Sequence, residues 1–323
     1  MPIFNLRRAK FFTALLLAAW PYCVRGYAAS PGPFRVAVMA DLNGGYGSCE
    51  YGEPVRAAVN AIVRENPGLV LLAGDMVAGG KPSIPAEQLG RMWAAFRGAV
   101  GAPLAKAGIP LAPAPGNHDA SAYPGHERER LLYEKEWLEN QPPLRYLDAA
   151  RYPFEYAFSA GGALFVVLDQ TTTRGLTPER LAWLDRILAR PEFKAKVVIA
   201  HVPLFPFTRG RETEITADAE LEALLARRGV SVVISGHHHA YYPGRRGALR
   251  YAGAGCLGDG PRKLIGDTKT SSRSFIWLTL DPGGSVSVEA APYPDFSSFI
   301  GRGELPVSVG TGDRAYERDD AAR

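Results

Sequence analysis

Apolar positions along this chain fall into two rhythms. Short unbroken runs such as Val36-Ala37-Val38-Met39-Ala40 and Leu69-Val70-Leu71-Leu72 end at Gly, Asp or Asn, and they are too short for helices. These runs predict strands over Phe34–Ala40, Leu69–Ala73, Ile109–Ala114, Phe154–Ser159, Ala163–Leu168, Lys196–Ala200, Val230–Ser235, Leu249–Ala254, Ser274–Leu280 and Ser285–Ala290. Between them, apolar residues recur at three- and four-residue intervals. That spacing predicts helices over Glu53–Glu65, Ala86–Ala107, His126–Asn140, Thr177–Ala189 and Ala217–Arg228. Thr177-Pro178-Glu179 opens one of them with a capping hydroxyl and a proline at the first helical position. The early strands are continuously apolar, as strands buried on both faces are, whereas the later ones alternate and have antiparallel character. The pattern therefore predicts an α/β domain over residues 29–292, with two packed sheets flanked by helices. Residues 120–151, rich in Tyr, Pro and charge, are expected to form a cap or side wall, and residues 79–85 and 205–214 to form rims. Periodicity is lost from Tyr293, so residues 293–323 are expected to be a surface-hugging or disordered tail.

The first residues follow a different logic. Arg7, Arg8 and Lys10 precede an apolar stretch from Phe11 to Trp20, and Gly26-Tyr27-Ala28 offers small residues for cleavage. That is the layout of a secretory signal peptide over residues 1–28, and it implies a periplasmic or secreted protein. The run is broken by Pro21 and falls short of the ~20 residues needed for a membrane helix, so no stable span is expected. Removing residues 1–28, which hold four basic residues and no acid, takes the formal net charge from +4 to zero. A neutral chain argues against nucleic acid as a partner. The remaining cysteines, Cys49 and Cys256, follow strand ends on the same side; they are read either as a disulfide or as two small buried thiols.

The polar residues at the strand ends are not a random set. Five of the six histidines sit in Gly116-Asn117-His118-Asp119, Ala200-His201-Val202-Pro203 and Gly236-His237-His238-His239, and each of these motifs follows a predicted strand. Asp41 and Asp75 end the two earliest strands. Two divalent cations a few ångströms apart need a bridging carboxylate to offset their repulsion, and Gly74-Asp75 suits that place. Asp41 and Asn117 offer further oxygen, and His201, His237 and His239 offer nitrogen. On an extended segment His237 and His239 point the same way and His238 points away. Mixed nitrogen and oxygen ligation suits two divalent or trivalent ions of Mn, Zn or Fe better than Mg or Ca.

From Asp41 to His239 the chain resembles the calcineurin-like metallophosphoesterases, whose five blocks are Asp-x-His, Gly-Asp, Gly-Asn-His-Asp/Glu, His and Gly-His-x-His. The resemblance implies a four-layer αββα sandwich and metal-dependent hydrolysis of a small-molecule or extracellular phosphoester, monoester or diester, by a metal-activated hydroxide. Carried over by motif, one metal would be held by Asp41, Asp75 and His239, and the other by Asp75, Asn117, His201 and His237. His118 would protonate the leaving oxygen or stabilise phosphoryl charge, and Asp119 is grouped with it as catalytic, either orienting the site or capping the turn. Arg209 and Arg211 are candidates to hold the substrate phosphate. Two positions depart from the family pattern. Asn43 replaces the imidazole of the first block, so the first metal site is read with Asn43 as a weaker donor, aided by Tyr46 or Ser48 nearby. Ala78 stands where protein Ser/Thr phosphatases carry Asp and purple acid phosphatases Tyr, which argues against both subclasses. The alternative reading is a non-catalytic metal- or phosphate-binding protein whose first site is weakened by Asn43.

Overall fold

The computed structural model describes residues 32–321, so the signal-peptide expectation lies outside the described residues. The strands form two sheets. The first has β1 (Phe34–Met39), β2 (Leu69–Leu72) and β3 (Leu111–Pro113) running parallel, in that spatial order. The second begins with β4 (Arg145–Arg151), β5 (Glu155–Ala160), β6 (Ala163–Leu168), β7 (Lys196–Ala200), β8 (Val232–Ser235), β9 (Tyr242–Arg246) and β10 (Leu249–Gly253). Its centre, β6, β7, β8 and β10, is parallel. The chain then returns to the first sheet with β11 (Ser274–Leu280), antiparallel to β1, and β12 (Val286–Pro292) at the edge. Last come β13 (Ser308–Val309) and β14 (Tyr316–Arg318), which extend the second sheet through β9.

Helices cover both outer faces. On the first sheet lie α1 (Glu53–Glu65), α2 (Ala86–Phe96) and α3 (Ala102–Lys106), which bury Val55, Val59, Ile62, Leu89, Phe96 and Leu104 in the same core as β1, β2 and β3. Beyond β3 come a single turn, α4 (Asn117–Ala120), and α5 (Glu127–Glu139). On the second sheet, α6 (Pro178–Leu188) and α7 (Ala219–Arg227) bury Leu181, Leu184, Leu221 and Leu225 against Leu164, Val166 and Val198. The inner faces meet through Phe165, Val167, Val197, Ile199 and Ile234, so the layers run helix, sheet, sheet, helix.

The helix starts follow the local chemistry. Thr177 Oγ1 accepts from the Arg180 N–H, and Asp218 accepts from the Leu221 N–H, each satisfying a donor that the first turn leaves open. The single helix expected over residues 86–107 is interrupted by a π-helical turn at Arg97–Gly101. Pro103 explains this, since it has no N–H to donate and its ring would strike the carbonyl four residues back in a regular helix. α5 forms a side wall: Tyr133 and Trp137 meet Trp93 of α2 edge-on at 6.0 and 6.4 Å, each pair adding roughly 0.5–1.5 kcal/mol beyond burial.

Four strands escape the hydrophobic pattern. β4 is a bulged edge strand with a polar, largely exposed sequence. β9 reads Tyr-Pro-Gly-Arg-Arg, a turn by composition, yet it pairs along its length with β10. Gly244 is required there because a Cβ would lie 2.1 Å from the Tyr316 ring. The expected surface-hugging or disordered tail is in part sheet. Val309 and Tyr316 are buried, and Asp319 pairs with Arg250 and Arg302. Two strands of two and three residues are too short for a period to show. No helix among the described residues is long and apolar enough to cross a membrane.

Candidate metal centre

All the polar strand-end residues converge on one edge of the sandwich, beyond the carboxyl ends of β1, β2, β3, β7 and β8. The backbone there is bent hard. Among the described residues, four of the seven non-glycine residues with positive φ are Asp41, Asp75, His237 and His239. A side chain held in that region costs on the order of 1–3 kcal/mol, and such strain concentrates at functional sites. Gly74, at φ +93°, has no freedom to be anything else: a Cβ would stand 2.3 Å from His201 Nδ1.

Asp75 is the centre of the cluster and almost fully buried. Its Oδ1 accepts from the His118 N–H at 2.8 Å, and its Oδ2 lies 3.3 Å from His201 Nε2 and 3.8 Å from His118 Nε2. Burial works against its charge, but His201 and His118 outweigh that and hold the carboxyl well below the usual range. His201 donates from Nδ1 to the Ala73 carbonyl at 2.8 Å, which leaves Nε2 facing Asp75 and Asn117 Oδ1, the latter at 3.0 Å. Burial lowers the affinity of that imidazole for a proton; Asp75 and Asp41 more than offset it and raise His201 to about 9. Asp41 accepts from the His237 N–H through both oxygens, and His239 Nε2 stands 3.3 Å from its Oδ1. His239 Nδ1 lies 3.0 Å from the Gly260 carbonyl, and despite burial Asp41 and the Cys256 thiol lift this imidazole to about 11. His237 goes the other way. Burial and the charge of His201 push it down to about 3, and its Nε2 lies 3.0 Å from Glu214 Oε2, which leaves Nδ1 for a ligand.

Two sets of ligand atoms lie within 4.8 Å of one another: Asp75, His201 and His237, and Asp41, Asp75 and His239. Asp75 belongs to both, as a bridging carboxylate must. Asn43, a donor type outside those sets, is buried, and its side-chain Oδ1 has no hydrogen-bond partner, an arrangement that costs about 1–3 kcal/mol. The donor set therefore fits a pair of metal ions. The Tyr46 ring sits 5.1 Å from that of His118, and Ser48 Oγ accepts from the Glu50 N–H.

His118 is held by its Nδ1 on the Gly79 carbonyl at 2.9 Å. Asp119, grouped with it, builds the turn, one of the two roles expected of it. Its carboxylate accepts from the N–H groups of Met76, Val77 and Gly116 and is buried beneath the loop. Sequence places it beside His118, but successive residues of a helical turn point in different directions. His238 turns away, with Nε2 3.1 Å from the Glu214 carbonyl and its ring against Phe207. Of the two loop arginines, Arg209 reaches outward to the Asp267 carbonyl, whereas Arg211 pairs with Glu214 and feels the charges of Asp41 and Asp75. Cys49 and Cys256 are both free thiols, so the disulfide alternative gives way; Cys256 is buried as the other reading expected, whereas Cys49 is only half-buried. Glu214, which supports two histidines, and Arg262, whose N–H donates to the His239 carbonyl, carry no sequence signal; only the folded loops bring them here.

The sequence profile described as calcineurin-like phosphoesterase matches residues 34–241. Purple acid phosphatase 22 of Arabidopsis thaliana is 27% identical over 291 residues, covering 86% of this chain and 58% of that protein. Purple acid phosphatase 15 of the same plant is 25% identical over 301 residues, covering 83% of this chain and 51% of that protein. The chain thus spans little more than half the length of these curated relatives. Among solved structures, PhoD aligns with a TM-score of 0.59 at 12% identity, covering 85% of this chain and 72% of that one. GAP50, the anchor in the inner membrane complex of Plasmodium, aligns with a TM-score of 0.55 at 15% identity, covering 83% and 88%. At such identities the likeness concerns the fold alone.

Proposed function

The chain belongs to the calcineurin-like phosphoesterase family, and from that premise we propose that it is an exported hydrolase of phosphoester bonds with a dinuclear metal site. One ion would be held by Asp41, Asn43, Asp75 and His239, and the other by Asp75, Asn117, His201 and His237. The observation that carries this reading is the position of Asp75, shared by both sets of converging ligand atoms and next to His118. Bound there, two Mn, Zn or Fe ions supply Lewis acidity, neutralising phosphoryl charge and lowering the pKa of water.

The chain's own groups do the rest. Asp75 keeps its negative charge in a buried setting because His201 and His118 face it. Hydrogen bonds from Nδ1 to the Ala73 and Gly260 carbonyls orient His201 and His239, so that Nε2 is the nitrogen each turns toward the carboxylates and the one that would take a metal ion on losing its proton. His118, tethered through Nδ1 to Gly79, presents Nε2 on the Asp75 side, where it can pass a proton to the departing oxygen. Asp119 holds the backbone of Met76 and Val77 and so keeps Asp75 in place. Arg211, which pairs with Glu214 beside His237, would meet the substrate's charge, whereas Arg209 bonds the Asp267 carbonyl.

Metal content per chain, paired with turnover of a chromogenic monoester and diester after Mn, Zn or Fe loading, tests this reading. Two ions per chain and hydrolysis are expected, with His118→Ala keeping its metal and losing about 10²–10⁴ in kcat. One ion or none, with no turnover under any loading, sinks it in favour of a binding protein.

A further inference from the structure

The guanidinium of Arg262 has no visible reason to be where it is. The residue lies on the loop between β10 and β11, tied to the site by its N–H bond to the His239 carbonyl at 3.2 Å. Its side chain is half-buried, and Nε is shielded from solvent with no hydrogen-bond partner. No carboxylate among the described residues pairs with it. Its positive charge bears on Arg211, from the loop between β7 and α7, and on His238; Arg211 also feels Tyr46, Asp41 and Asp75. Arg211 has a carboxylate partner in Glu214, which is also shared with His237, whereas Arg262 has none among the described residues.

A half-buried guanidinium pays for lost hydration and gains nothing from a like-charged neighbour. A fold keeps such an arrangement where an anion completes it, and the planar fork of arginine matches the oxygens of a phosphoryl group. We propose that Arg262, together with Arg211, forms an oxyanion clamp over the metal centre that selects phosphomonoesters over phosphodiesters. This rests on the hydrolase reading above. A monoester carries three unesterified oxygens and close to two charges at neutral pH, since its second pKa is about 6. A diester offers two such oxygens and one charge. Extra donors and positive charge beside the ions therefore favour the monoester.

The test uses the full metal-loaded chain and its R262A, R262Q and R262K variants. Inorganic phosphate affinity is read by calorimetry, metal content by elemental analysis, and kcat/KM on p-nitrophenyl phosphate and bis-p-nitrophenyl phosphate. R262A is expected to weaken phosphate binding by about ten- to a hundredfold. It should also lower the monoester-to-diester ratio of kcat/KM by about tenfold, with metal content unchanged and partial recovery in R262K. If R262A loses its metals, R262Q, which keeps the stem and a donor, carries the same comparison. Unchanged phosphate affinity and an unchanged ester ratio overturn the clamp, as does an equal loss on both esters. The two readings fail separately. A wild-type chain that turns over neither ester, while R262A still loses phosphate, removes the hydrolase and leaves the clamp.

Discussion

The first sheet brings oxygen to the crevice and the second brings nitrogen. Asp41, Asp75 and Asn117 follow β1, β2 and β3, with Asn43 close behind, whereas His201, His237 and His239 follow β7 and β8. The two sides also steady one another. His201 is oriented by the Ala73 carbonyl at the end of β2, and Asp41 is oriented by the His237 N–H beyond β8. Neither sheet could hold a cation in this geometry alone, since each supplies the hydrogen bonds that aim the other's donors. A metal bound between them would join the two sheets at the carboxyl ends of their parallel strands and stabilise the folded chain by mass action.

The sharpest way to break the comparison is at the residue both sides share. Asp75→Asn should remove both ions and reduce turnover to background, because the bridging charge and the partner of His201 vanish together. A variant that still binds two ions per chain would show that the sides do not depend on Asp75. A smaller effect is expected from the nitrogen side alone. Glu214→Ala frees the His237 ring, so affinity for its ion should fall by about 10–100-fold in a chelator competition. Glu214→Gln, which can still bond Nε2, should recover part of the loss. Equal affinities for all three proteins would make Glu214 a surface residue that happens to lie near. The smallest effect should come from moving nitrogen to the oxygen side. Asn43→His places an imidazole where a partnerless amide oxygen now sits, so Zn should bind more tightly at that ion while the other is unaffected. Unchanged metal content and activity would put Asn43 outside the site.

Much of the site is legible in the chain because a strand end followed by Asp, Asn or His is a local signal. Ten strands and the five principal helices follow from apolar spacing for the same reason, with the Pro103 interruption as the one break within a helix. Asp119 shows the limit: its motif position suggested chemistry, and the direction of its side chain assigned it to the Asp75 loop. β9, β13 and β14 show another, since a strand with Pro and Gly, or one of two or three residues, exists only because a neighbour pairs with it.

The sequence by itself determined which donors this protein carries, in what order, and that each would stand at the carboxyl end of a buried strand. These facts depend on residue type and on periods of two or four residues. Only the folded loops brought Glu214 to His237, bound the Arg262 N–H to the His239 carbonyl, turned Arg209 outward and added the tail to the second sheet. Such contacts join loops far apart in the chain, as when the His237 N–H meets Asp41 across 196 positions. No local pattern encodes them, because their energy appears only once the two sheets have packed.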